Sequence, residues 1–174
     1  MRKILVVVDM QKDFVDGALG SKEAVVIVPA VVEKIKSYSI KDVFVTRDTH
    51  QPNYMETQEG KNLPVVHCVE GTDGWQLDER VSQVVEGATF INKPTFGSTV
   101  LADTIKAISE KEDIEIELVG LCTDICVVSN ALLLKASMPE VPISVDPLCC
   151  AGVTPEKHEA ALETMRSCQI YVRS

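Results

Sequence analysis

The run Ile4-Leu5-Val6-Val7-Val8, entered through Arg2-Lys3 and ended by Asp9, constrains this chain more than any other segment. Five consecutive apolar residues, three of them valine, are too few for a buried helix. They do not alternate as a half-exposed strand would. The pattern predicts a strand covered on both faces, and such a strand needs a layer of structure above it and another below. Asp9 then stands at the carboxyl end of that strand, where the sites of α/β proteins collect.

The rest of the chain repeats this logic. The segment AVVIVPAVVEKIKSY reads as a helix with an apolar stripe and with Lys34 and Lys36 toward its end, and DVFVTRD as a second strand. ATFINKP, IEIELVG, PISVD and QIYV read as further strands. Between them, STVLADTIKAISEKE, DICVVSNALLLKAS and PEKHEAALETMRSC read as helices, the last capped by Thr154 with Pro155 in its first turn. Strand and helix alternate along the whole of residues 1–174, with no internal repeat or linker. The expectation is a single α/β domain: a three-layer α/β/α, Rossmann-like arrangement whose mainly parallel sheet of six strands carries helices on both faces. The stretch from Thr49 to Glu79, rich in proline and glycine, is long for a connection in a compact domain and is therefore a candidate site.

Charge and cysteine usage narrow the function classes. With 174 residues the chain is long enough to bury a core without staples, and its net charge of −9 opposes binding to nucleic acid or to an anionic membrane surface. Six cysteines in a chain without a visible leader read as free thiols, which points to a cytoplasmic protein.

Three reactive side chains fall at strand ends or just beyond: Asp9, Lys93 and Cys126. Cys126 lies in the first turn of a predicted helix, where free N–H groups and the dipole favour a thiolate and a neighbouring ammonium adds to the effect. Cys122 precedes that helix, so its backbone N–H, together with that of Cys126, suits an anion pocket. The residues alone leave a second reading open, in which both cysteines are small buried hydrophobes. Their C-x-x-x-C spacing does not match the C-x-x-C of redox pairs. A second group, Asp48, His50, Glu59 and His67 within RDTHQPNYMETQEGKNLPVVHC, offers two imidazoles and two carboxylates suited to zinc, iron or manganese; simple solvation of the acids is the alternative. Glu56 competes with Glu59 for the third place.

The segments VVVDMQKDF, NKPTFGST and GLCTDICV, in that order and spacing, resemble the three signature segments of the isochorismatase-like cysteine hydrolases, the superfamily that includes nicotinamidases and pyrazinamidases. The resemblance spans essentially the whole chain. It implies the isochorismatase-like hydrolase fold, an Asp9-Lys93-Cys126 triad, a cis peptide at Leu121–Cys122, and an oxyanion hole formed by the N–H groups of Cys122 and Cys126. It also implies one divalent metal ion, zinc foremost, on Asp48, His50, Glu59 and His67. Phe14, Trp75, Leu121 and Cys122 are the expected substrate-contacting residues. The implied activity is hydrolysis of nicotinamide to nicotinate and ammonia through a cysteine thioester, as in NAD salvage, by a cytoplasmic homo-oligomer. The alternatives are another small-amide or carbamoyl hydrolase of the superfamily and a catalytically silent binding domain.

Overall fold

The computed structural model describes residues 1–174. In chain order its elements are β1 (Arg2–Val8), α1 (Lys12–Val15), α2 (Lys22–Lys36), β2 (Val43–Asp48), α3 (Gln58–Asn62), α4 (Glu79–Ser82), β3 (Thr89–Lys93), α5 (Thr99–Ser109) and β4 (Ile114–Leu121). After a π-helical turn at Thr123–Val127 come α6 (Val128–Ser137), β5 (Ile143–Ala151), α7 (Pro155–Ser167) and β6 (Tyr171–Val172). No helix is long and apolar enough to cross a membrane.

All six strands are parallel, in the order β3-β2-β1-β4-β5-β6. The order reverses direction between β1 and β4, so a crevice opens outside the carboxyl ends of those two strands. Strand β1 is the hinge of the packing. Ile4, Val6 and Val8 point into one core with Leu101, Ile105, Leu134 and Met165 from α5, α6 and α7. Leu5 and Val7 point into the other, with Ala24, Ile27, Val28, Val31 and Ile35 of α2. Alternate side chains of one strand thus anchor two layers, which is why its sequence is apolar throughout.

Local signals place the helices. Ser21, Ser98 and Thr154 each accept a backbone N–H of the first turn of α2, α5 and α7, and Pro155 opens α7 as its sequence predicts. Three elements differ from the sequence reading. The Thr49–Glu79 segment holds a 3-10 turn at Tyr54–Glu56 and the short helix α3, which Thr57 caps. β5 continues past Asp146 to Ala151, with a register shift opposite Leu118 and Gly120, where Pro147 has no N–H to give to the ladder. The helix expected from Asp124 begins as the π turn and becomes α-helical only at Val128.

The crevice depends on one close approach. Gly120 pairs with Val8 and has φ of +117°; a Cβ there would lie 2.2 Å from the Val8 carbonyl oxygen. Gly120→Ala should therefore lower stability by about 1–3 kcal/mol or more, the scale of a backbone held in a disfavoured region, as read from urea-unfolding midpoints. Gly71, at φ of +81° with no heavy atom near its virtual Cβ, is the control: Gly71→Ala meets the same kind of strain without the clash, and its loss should be smaller. Equal losses would show that close approach to Val8 is not limiting.

Candidate active site

Asp9 follows β1 with φ of 49° and has no exposed surface. Its N–H donates to the Thr46 carbonyl at 3.2 Å, and the Thr46 hydroxyl donates to Asp9 Oδ1 at 2.7 Å, which leaves Oδ2 facing Lys93 Nζ at 2.6 Å. Lys93 ends β3 in register with Asp48 of β2. Its ammonium, also fully buried, donates to the Thr95 carbonyl at 3.0 Å and lies 3.4 Å from Cys126 Sγ and 3.6 Å from Asp48 Oδ1. The three reactive side chains proposed from the sequence therefore meet at one point.

The electrostatics of that point differ from the sequence expectation. A depressed thiol pKa was anticipated for Cys126 from its helix position, yet the thiol is pushed well up, first by burial and then by the Asp9 carboxylate, against the pull of Lys93. At 4% exposure, desolvation outweighs the helix end. Burial likewise raises Asp9, with Lys93 acting in the opposite sense. Burial alone would lower Lys93, but the charges around it, Asp9 first, raise it overall and keep it an ammonium. Burial thus disfavours the Cys126 thiolate, and the Lys93 ammonium opposes that effect.

The second group also assembles. Asp48, His50, Glu59 and His67 each turn one ligand atom toward a common point, all within 4.8 Å of one another. Donors held about 2.0–2.1 Å from a tetrahedral ion lie about 3.3–3.4 Å apart. Here His50 Nε2 is 2.8 Å from Asp48 Oδ2 and 3.5 Å from Glu59 Oε1, and His67 Nε2 is 3.4 and 3.6 Å from the same two oxygens. His67 Nδ1 is 2.7 Å from the Val65 carbonyl, so donation there frees Nε2 for an ion. The donor set and its spacing fit a divalent metal. Glu56 is exposed and outside the group. Asp48 joins the two centres, one oxygen toward the cluster and the other toward Lys93.

A cavity of about 470 Å³ opens onto both centres, lined by Cys122, Cys126, Asp48, Glu59 and His67, with Phe14 and Phe96 among its apolar walls. Of the residues expected to contact a substrate, Phe14 and Cys122 line this cavity. Trp75 and Leu121 do not line it. The Trp75 indole N–H donates to Thr49 Oγ1 at 2.9 Å, and its ring is covered by the Arg47 guanidinium at 4.1 Å. Leu121 is 1% exposed within the α2-side core, although the Leu121–Cys122 peptide bond is cis.

Other roles emerge only in three dimensions. Gln11, fully buried, receives the Asp48 N–H and donates to the Asp48 carbonyl, both at 2.8 Å, holding the end of β2. Tyr54 packs edge-on against His50 and His67, with ring centroids 4.8 and 5.0 Å away, and donates to the Leu63 carbonyl. Asp13 reaches beyond its own turn to accept the Cys68 N–H at 2.8 Å. His158 is half-buried, with its Nδ1 2.7 Å from Thr123 Oγ1. Asp124 caps no helix; it accepts the Val153 N–H at 2.9 Å. Of the other free cysteines, Cys149 and Cys150 are buried and Cys168 is exposed.

Burial and protonation of Cys126 set its reactivity. In the ligand-free protein at neutral pH, iodoacetamide should modify Cys168 before Cys126, as followed by peptide mass mapping. Modification of Cys126 first would mean that the field of Lys93 overrides desolvation.

No curated protein sequence matches the chain. Solved structures do. The pyrazinamidase of Pyrococcus horikoshii in complex with zinc is 28% identical, with a TM-score of 0.80 over 100% of this chain and 99% of that one. The nicotinamidase/pyrazinamidase of Bacillus subtilis is 26% identical, with a TM-score of 0.85 over the whole of both chains. The N-carbamoylsarcosine amidase of Thermoplasma acidophilum, at 24% identity and a TM-score of 0.80 over 99% and 96%, shares the fold. The sequence model of the isochorismatase domain matches residues 3–174. With the strand order, the sheet and the family model in agreement, the chain belongs to the isochorismatase family.

Proposed function

We propose that this chain is a nicotinamidase-type amidohydrolase that cleaves a pyridine carboxamide through a Cys126 thioester. The observation that carries the proposal is the shared position of Asp48, which places the buried Asp9-Lys93-Cys126 contact and a metal-competent cluster on one cavity. Likeness to a pyrazinamidase and to a nicotinamidase at 28% and 26% identity supports the same reading.

The chemistry follows from the protonation state. Asp9 removes the proton of the resting Cys126 thiol as the sulfur attacks the carboxamide carbon, and Lys93 stabilises the sulfur's negative charge while it exists. The oxyanion is assigned to the N–H groups of Cys122 and Cys126, donors of a kind worth about 3–4 kcal/mol each in a dry site. Asp9 then returns the proton to the departing ammonia, leaving the acyl group on sulfur. A water activated by Asp9 hydrolyses the thioester and restores the thiol. Asp48, His50, Glu59 and His67 would hold a divalent ion, and when bound it supplies a Lewis-acid position for the ring nitrogen of the substrate. The zinc in the Pyrococcus horikoshii pyrazinamidase supports zinc as that ion. Phe14 and Phe96 offer apolar walls for the ring.

The direct test is ammonia release from nicotinamide by purified, metal-supplemented protein, compared with a panel of small amides and carbamoyl compounds. Preference for a carbamoyl compound would replace the substrate assignment. Cys126→Ala should abolish turnover, whereas Cys122→Ala should keep a substantial part of it, because alanine retains the backbone N–H. Equal losses would contradict this division of labour.

Metal removal tests the recognition half separately. Benzamide has the carboxamide and ring size of nicotinamide but no ring nitrogen, so it should be the poorer substrate by on the order of a hundredfold, the usual cost of a lost positioning contact. Chelation, or substitution of His50 or His67, should erase that preference, and Glu59→Gln should weaken it more than Glu56→Gln. Unchanged discrimination in the metal-free protein would show that the ring nitrogen is not recognised there.

A further inference from the structure

Asn130 lies in the first turn of α6, 1% exposed, in a helix whose other buried residues are apolar. Its amide nitrogen donates to the Cys126 carbonyl at 2.8 Å and to the Phe96 carbonyl at 3.1 Å, and its amide oxygen accepts the Ser98 N–H at 2.9 Å. Both amide hydrogens and one oxygen lone pair are used. Two of the three bonds leave the helix and reach the loop between β3 and α5. That loop carries Lys93 at its start, the Thr95 carbonyl that receives the Lys93 ammonium, Phe96 on the cavity wall, and Ser98, which caps α5. The remaining bond grips the backbone of the nucleophile.

We propose that Asn130 is a positioning residue that buckles the Lys93 loop to the Cys126 turn and so sets the contact between the Lys93 ammonium and the Cys126 sulfur. This rests on the proposed cysteine chemistry, but the geometry is independent of the substrate. Lys93 and Cys126 belong to β3 and to the turn after β4, and two strands of the sheet, β2 and β1, separate β3 from β4. No ladder hydrogen bond joins their ends, and Asn130 supplies a side-chain cross-link beside the 3.4 Å contact. An amide is suited to it because it donates twice and accepts once within a single plane. An aspartate would place an anion against the Cys126 and Phe96 carbonyls, and an aliphatic residue would make none of the three bonds.

Two variants separate the buckle from general stability. Asn130→Leu removes all three bonds. Asn130→Thr retains the one within the helix, since a threonine hydroxyl can donate to the carbonyl four residues back, and it loses the two to the loop. Leu134→Ala, in the same helix and buried in the core, is the control for destabilisation alone. The readouts are kcat for nicotinamide, melting temperature, and the iodoacetamide rate at Cys126 with Cys168 as internal reference, all on metal-supplemented protein. Asn130→Leu should lower kcat by about a hundredfold and slow Cys126 labelling, with Asn130→Thr in between. Leu134→Ala should melt earlier and leave both within about threefold. If Asn130→Leu does not fold, Asn130→Thr against Leu134→Ala decides. The proposal is overturned if Cys126 labelling is unchanged or faster in the Asn130 variants, or if kcat follows melting temperature across all three. Absence of nicotinamide turnover in the unmodified protein would sink the substrate reading while leaving the labelling comparison to judge the buckle.

Discussion

An ammonium group with no exposed surface is the constraint around which the carboxyl end of the sheet is arranged. Lys93 ends a strand, and taking its charge out of water is tolerated only with partners close at hand. Those partners come from three other places: Asp9 after β1, Asp48 at the end of β2, and the Thr95 carbonyl. Asp9 Oδ2 and Asp48 Oδ1 are buried without a hydrogen-bond partner, and the Lys93 ammonium is the charge that faces both. The register that pairs Asp48 with Lys93 and Val8 with Thr46 is the backbone expression of that mutual need.

The same dryness shapes the chemistry. Cys126 and Asp9 share a site where both are pushed toward their neutral forms by burial, and Lys93 is the one fixed charge that favours their ionisation. A thiol held toward its neutral form by burial is shielded from casual oxidation and alkylation. On the proposed chemistry, activation is a proton transfer over a short distance inside the site.

How much of this was legible in the sequence depends on the range of the interaction. β1, the caps Ser21, Ser98 and Thr154, and the alternation that yields a parallel sheet rest on local patterns and can be read directly. The π turn at Thr123–Val127 and the extension of β5 are settled by packing and by Pro147, and no periodicity announces them. At the site, residue types with evident chemistry stood out, whereas residues that hold them did not. Gln11, Thr46, Tyr54 and Asn130 look ordinary in one dimension and acquire meaning from partners far away in the chain. Trp75 shows the converse error: an aromatic near a suspected site is conspicuous, but here it is spent on Arg47 and Thr49. The state of the Cys126 thiol was misjudged because burial is a property of the whole fold.

The π turn that carries Cys126 has a consequence for how the chain tolerates changes in length. Its hydrogen bond from the Val127 N–H to the Cys122 carbonyl spans one residue more than an α-helical turn would. Deleting one residue from Thr123–Val127 would restore α-helical spacing and swing the nucleophile around the helix axis by about 100°, away from Lys93, while α6 stayed packed in the core. This stretch is therefore constrained in length. The segment from Pro52 to Pro64 is likewise held, by the Tyr54 hydroxyl on the Leu63 carbonyl and by the Gly60 N–H on Thr57 Oγ1, so a change of length there would shift Glu59 from its partners.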